Sequence, residues 1–104
     1  MPFSTFKVFF DEDSKEWTFK TSTIMKKMTL KFKLDEEFDE KTPDGRRVVA
    51  VVNKDGDTFT SIQTAKKEGE KSTKAIREFK DDEMIQTIEV IGTDTICTQV
   101  FKRK

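Results

Sequence analysis

The sequence predicts an all-β fold: an antiparallel up-and-down β-barrel of about nine strands around an interior cavity. Three observations carry that expectation. The first is chemical. Ten phenylalanines and one tryptophan accompany many valines, isoleucines and threonines, while leucine occurs only at Leu30 and Leu34. Branched and aromatic side chains suit a pleated, half-buried surface. The second is pattern. Short stretches alternate apolar and polar residues, with turn chemistry between them. No long stretch has helical apolar spacing, and no connection is long enough for a parallel crossover. The third is a shortage. Only 34% of the residues are apolar, with four glycines besides, where an ordinary domain has roughly 45–50% for both together. Such a barrel would hold a partly polar, wet interior rather than a dry core.

The elements follow in order. Thr5–Phe10 is a strand with Phe6, Val8 and Phe10 on one face, and residues 11–14 form a turn. Glu16–Thr23 sets Trp17, Phe19, Thr21 and Thr23 against charged and polar neighbours. Lys27–Leu34 does the same with Met28, Leu30, Phe32 and Leu34. Glu36–Lys41 is a short acidic strand centred on Phe38, and Thr42-Pro43-Asp44-Gly45 is a turn, because proline pre-sets φ and glycine tolerates positive φ. Arg46–Asn53 and Thr58–Ala65 flank a hairpin signal at Asp55-Gly56. Ser72–Phe79, Met84–Ile91 and Thr95–Lys102 complete the set. Closing the meander into a barrel removes its open edges. Residues 1–104 read as a single domain, without linker or repeat.

Composition also excludes functions. Twenty basic residues balance twenty acidic ones, which removes the electrostatic reason to expect nucleic acid or an anionic membrane. With no histidine and a single cysteine, Cys97, there is no histidine catalysis, no intramolecular disulfide and no Cys-cluster zinc site. No apolar run reaches the roughly 18 residues that span a bilayer, and the N-terminus does not read as a signal peptide. A reduced, cytoplasmic setting is the simplest reading. The acidic group of Asp35, Glu36, Glu37, Asp39 and Glu40 lacks EF-hand spacing and reads as a solvated strand edge. Cys97 has no base beside it in sequence and reads as a small buried residue. No metal, cofactor or enzymatic activity is expected.

One residue stands out. On Ser72–Phe79, the face with Thr73, Ala75, Arg77 and Phe79 is the less polar one, so Arg77 is expected to point inward. A buried cation without a partner costs several kcal/mol. An anionic head group would supply the missing charge, with bidentate geometry suited to a carboxylate. The alternatives are pairing with Asp44, Glu37 or water, or a solvent-facing register.

Several motifs, in order, resemble the intracellular fatty-acid-binding proteins. They are Phe32-Lys33-Leu34, Glu37-Phe38-Asp39-Glu40, the turn through Thr42-Pro43-Asp44-Gly45 into Arg46, Asp55-Gly56 with Gln63, Ile76-Arg77-Glu78, and Cys97-Thr98-Gln99-Val100-Phe101. The resemblance runs from about Phe6 to Lys102 and implies a lipocalin-like barrel. Only Met1-Pro2-Phe3-Ser4 precedes what matches the family's second strand, so its first strand and helix-turn-helix lid are expected to be absent. Where fatty-acid binders usually read arginine-x-tyrosine, this chain reads Gln99-Val100-Phe101, as cellular retinol-binding relatives do.

The resemblance implies a ligand site. Arg77 would be the main polar anchor and Gln99, expected beside it on the last strand, its helper. Phe101 would pack in place of the tyrosine. Phe19, Phe32 and Ile88 would line the interior, with Trp17, Leu30 and Met28. Thr21, Met25 and Lys26 would lie at the portal, and Asp44 near the site. The implied function is an intracellular carrier of a long-chain fatty acid or similar amphiphile. A retinoid carrier is the alternative, as is a truncated or engineered barrel that forms a domain-swapped dimer and binds weakly. Some homodimer is expected, because Phe3, Phe6 and Phe9 would expose apolar surface at an unpaired edge. Neither nucleic acid nor stable membrane insertion is expected.

Overall fold

The computed structural model describes residues 4–24, 26–41 and 45–103. Nine strands form one sheet: β1 (Thr5–Asp11), β2 (Glu16–Ser22), β3 (Lys27–Lys33), β4 (Phe38–Lys41), β5 (Arg47–Asp55), β6 (Thr58–Ala65), β7 (Thr73–Lys80), β8 (Glu83–Val90) and β9 (Ile96–Arg103). The described residues contain no helix. Each strand lies within two residues of its expected bounds. Thr42, Pro43 and Asp44 of the expected turn lie outside the described residues.

The sheet order is β3-β2-β1-β9-β8-β7-β6-β5-β4. Neighbours in sequence pair antiparallel. The sheet curls until β1 meets β9, and that joint alone departs from the expected antiparallel pairing. In a meander of nine strands the first and last point the same way, so the joint between them must be parallel. It is also short: Thr5 faces Lys102 and Phe6 faces Arg103, and Ser4 O accepts from Lys102 N at 2.8 Å. The other seam lies between β3 and β4, the two ends of the sheet order, which do not pair. The barrel is therefore nearly closed.

Turn chemistry sets the registers. The β5–β6 hairpin loop is Gly56-Asp57, one residue later than the sequence signal suggests, because Asp55 pairs with Thr58. Gly56 takes φ +60 at the first loop position, which glycine adopts without steric cost. After β1, the Asp11 carboxylate accepts from Asp13 N and Ser14 N.

Apolar packing is concentrated at one end. Phe19, Phe32, Val52 and Phe59 are buried there, flanked by Trp17, Leu34, Phe38 and Phe79. Phe59 is the hub: its ring lies 5.0 Å from Trp17, 5.1 Å from Phe19 and 5.5 Å from Phe79, each edge to face. Phe6, Met84 and Phe101 form a second cluster, joined to the first through Val8 and Phe79. Phe6 is thus core, contrary to the expectation that it adds exposed surface at an edge. Phe9, on the outer face, is 49% exposed. Phe3 lies outside the described residues.

Aromatic pairs contribute about 0.5–1.5 kcal/mol each beyond area burial, and Phe59 makes several. Phe59→Ala should lower stability by about 3–5 kcal/mol, while Phe9→Ala on the outer face should change it by about 0.5 kcal/mol or less. Urea midpoints compared between the two variants check this.

Candidate functional site

Alternation carries polar side chains into the barrel above the aromatic floor. On β7, Thr73, Ala75 and Arg77 are buried while Lys74, Ile76 and Glu78 face outward or sideways. Arg77 faces Phe59 on one side and Gln86 on the other, and Gln86 in turn faces Gln99. One row thus crosses β6, β7, β8 and β9. Arg77, Gln86 and Gln99 of that row, with Thr73 and Ala75, border a cavity of about 620 Å³, within the roughly 300–1,000 Å³ usual for small-molecule sites.

Arg77 is 9% exposed. Its Nε donates to Gln86 Oε1 at 2.9 Å, and its guanidinium lies 5.7 Å over the Phe19 ring. Burial pushes its pKa below the ordinary arginine value, and attraction to Glu40 opposes that. Nη1 is buried and makes no hydrogen bond.

Glu40 projects inward from β4. Its Oε2 accepts from Gln63 Nε2 at 3.0 Å, and Gln63 Oε1 accepts from Thr73 Oγ1 at 2.5 Å. The other oxygen, Oε1, is buried without a partner. Glu40 is therefore not part of a solvated acidic edge. Its neighbour Asp39 is, and Lys66 at 2.6 Å holds that carboxyl below its usual range through a hydrogen bond and charge attraction.

The cavity reaches the unpaired seam between β3 and β4. From β3 it is bordered by Met28, Thr29, Leu30 and Lys31, and from β4 by Phe38 to Lys41. Both faces of these two strands reach it, because the seam between them is unpaired. Lys26, Lys31, Lys41 and Arg46 make this border basic.

The sequence-derived candidates divide as follows. Arg77, Phe19, Thr21, Ile88, Gln99 and Phe101 all border the cavity. Phe32 does not: it is buried in the floor, with its ring 5.0 Å from Phe19. Met25 and Asp44 lie outside the described residues. Gln99 is not beside Arg77, since β8 separates their strands. It is exposed, and its Nε2 donates to Ser4 Oγ at 3.0 Å. Gln86 is the residue beside Arg77 instead. Cys97 is exposed, not buried, because among the described strands only β8 pairs with that part of β9, and β1 does not reach it. Gln86, Glu40, Gln63 and Thr73 also border the cavity, although the sequence reading does not single them out as site residues. Alternation on β8 through Met84, Gln86 and Ile88 held the signal for Gln86, and the two-residue step from Phe38 held it for Glu40. Among the described residues, no group of three His, Cys, Asp or Glu side chains could hold a metal.

Arg77 and Glu40 share the cavity as opposite charges without direct contact. Replacing buried charges of opposite sign by neutral groups is often neutral or stabilising by about 1–4 kcal/mol, whereas removing one partner destabilises. The ligand-free double variant Arg77→Met/Glu40→Gln should therefore be at least as stable as the parent. Glu40→Gln alone should be less stable by about 1 kcal/mol or more. Urea denaturation of the three proteins checks the order.

Comparison with known proteins places this architecture. A fatty acid-binding protein of Lepidoglyphus destructor is 40% identical over 85 residues, covering 81% of this chain and 62% of that protein. The chain thus spans less than two thirds of that relative's length. One of Tyrophagus putrescentiae is 37% identical over 100 residues, covering 96% of this chain and 71% of its own. Among solved structures, a Schistosoma mansoni fatty acid binding protein in complex with arachidonic acid superposes with a TM-score of 0.78 at 32% identity, covering 95% of this chain and 69% of that one. The model of the Lipocalin / cytosolic fatty-acid binding protein family matches residues 3–104, and with the barrel and its polar-lined cavity this shows that the chain belongs to that family, whose members bind ligands and are not enzymes.

Proposed function

We propose that the protein is a cytosolic carrier that encloses one long-chain fatty acid, or a similar amphiphile, in its barrel. One observation carries the reading: a buried guanidinium with an unpartnered Nη1 borders a cavity of ligand size. A carboxylate accepting from Nη1 would satisfy it by a charge-assisted hydrogen bond. The alkyl chain would lie against Phe19, Leu30, Met28 and Ile88, all on the cavity wall. The names of the relatives, and the arachidonic acid held by the Schistosoma mansoni protein, support the same ligand class.

A hydrogen bond to a charged group contributes about 1.5–3 kcal/mol. Arg77→Gln should therefore lower affinity for oleic acid by about 10- to 100-fold and affect oleyl alcohol less. Calorimetric titration of parent and variant with both ligands tests this. An unchanged acid affinity in the variant would remove Arg77 as anchor. Absence of acid binding in the parent would overturn the carrier reading.

A second reading concerns assembly, and the β1–β9 joint favours it. Two residue pairs hold that joint, and Phe9, Ile96 and Val100 are exposed on strands that flank it. Edges of this kind accept strands from a partner. A homodimer should appear in sedimentation as concentration rises, and a monomer at every concentration would overturn this reading.

A further inference from the structure

We propose that the same cavity takes a long-chain primary amide, an uncharged head group that accepts from Arg77 and donates to Glu40. The inference rests on the carrier reading and adds a ligand class to it. It starts from two buried atoms. Arg77 Nη1 is a donor and Glu40 Oε1 an acceptor, and neither has a partner among the described residues. Both side chains border one cavity, and Glu40 is close enough to act on Arg77 through its charge.

The walls fix how each group presents itself. Gln86 occupies Arg77 Nε, and Nη1 remains without a partner. Gln63 occupies Glu40 Oε2 and is itself held by Thr73, which leaves Oε1. Each charged side chain thus has one polar atom bonded to the wall and one buried atom without a partner. Their charges are opposite, so a head group bridging them need carry none. A buried polar group without a hydrogen bond is costly, and the best occupant satisfies both ends.

Three head groups differ here. A carboxylate accepts from Nη1 but offers Oε1 no donor, and it adds a second negative charge beside Glu40. An alcohol can donate and accept, but only through one oxygen, so it spans little distance. A primary amide has its acceptor oxygen and its N–H donors on opposite sides of one planar carbon. It can face Arg77 with the oxygen and Glu40 with the nitrogen.

Glu40→Gln separates these cases. Gln63 Nε2 donates to this side chain, so the new amide oxygen keeps that bond and its NH2 replaces Oε1. A donor then stands where an acceptor stood, and the charge is gone. Oleic acid, its primary amide and its alcohol are titrated calorimetrically into parent and variant. The parent should bind the amide at least as tightly as the acid. The variant should bind the acid about tenfold more tightly and the amide about tenfold more weakly. A parent that prefers the acid tenfold or more would overturn the proposal, whatever the variant's stability. So would a variant in which both affinities move the same way. Acid binding without amide binding would overturn it and leave the carrier reading intact. Failure of all three ligands would overturn both.

Discussion

The structure depends on aromatic packing across a seam that hydrogen bonds do not close. β3 and β4 stand at opposite ends of the sheet order, yet Phe32 on one and Phe38 on the other stack with ring centroids 6.1 Å apart. Phe59 fills the space beneath them. Below the stack, Asp35 N donates to Val52 O at 2.8 Å and Asn53 Nδ2 to Asp35 Oδ1 at 2.5 Å, which ties the end of β3 to β5. Side chains therefore do the work of a missing ladder, at one end only. That division explains how a chain with 34% apolar residues can fold. The apolar side chains gather into a floor dense enough to hold the barrel, and the remaining inward positions are left for polar ones.

The opposite joint follows from arithmetic. Nine alternating strands force the first and last into parallel alignment, and the overlap of β1 with β9 is confined to Thr5 and Phe6. Upstream of that overlap, the inward side chains of β9 lose their cover. Cys97 and Gln99 share a face with the buried Phe101 and are nonetheless exposed. Burial along β9 therefore reflects distance from the joint rather than side-chain polarity.

This is also where the sequence stopped being legible. Strand positions were readable because turn residues and alternation are local, and the inward aim of Arg77 followed from the same alternation. Neighbours across strands are not local. Sequence alone sets Gln99 beside Arg77, as if the last strand were adjacent, whereas the register inserts Gln86 between them. Phe32 and Phe19 alternate alike, but depth along the barrel puts Phe32 in the floor and Phe19 at the boundary of floor and cavity. Glu40 hid within a run of acidic residues. Charge pattern alone cannot tell the one carboxylate that turns inward from its solvated neighbours, and only its step from Phe38 could. Polar side chains in the interior, by contrast, are legible from the shortage of apolar residues, which is a property of the whole chain.

Arg77 links the two halves of this design. Its guanidinium lies over Phe19, the aromatic residue that belongs to both floor and cavity wall, and such a contact is worth more where water is excluded. Its Nε is held by Gln86. The cation is therefore positioned by packing from below and by a hydrogen bond from the side before any ligand arrives. Positioning of this kind lowers the ordering cost of binding, but it keeps a desolvated charge inside a protein with a small apolar core. Glu40 moderates that cost through its charge without meeting Arg77 directly. A direct ion pair would stabilise the empty barrel and consume the Nη1 donor that the proposed head group would use. Without a direct pair, the two charges still balance across the cavity while Nη1 keeps its hydrogen unpartnered, so the arrangement that makes the empty cavity tolerable also leaves a donor unspent.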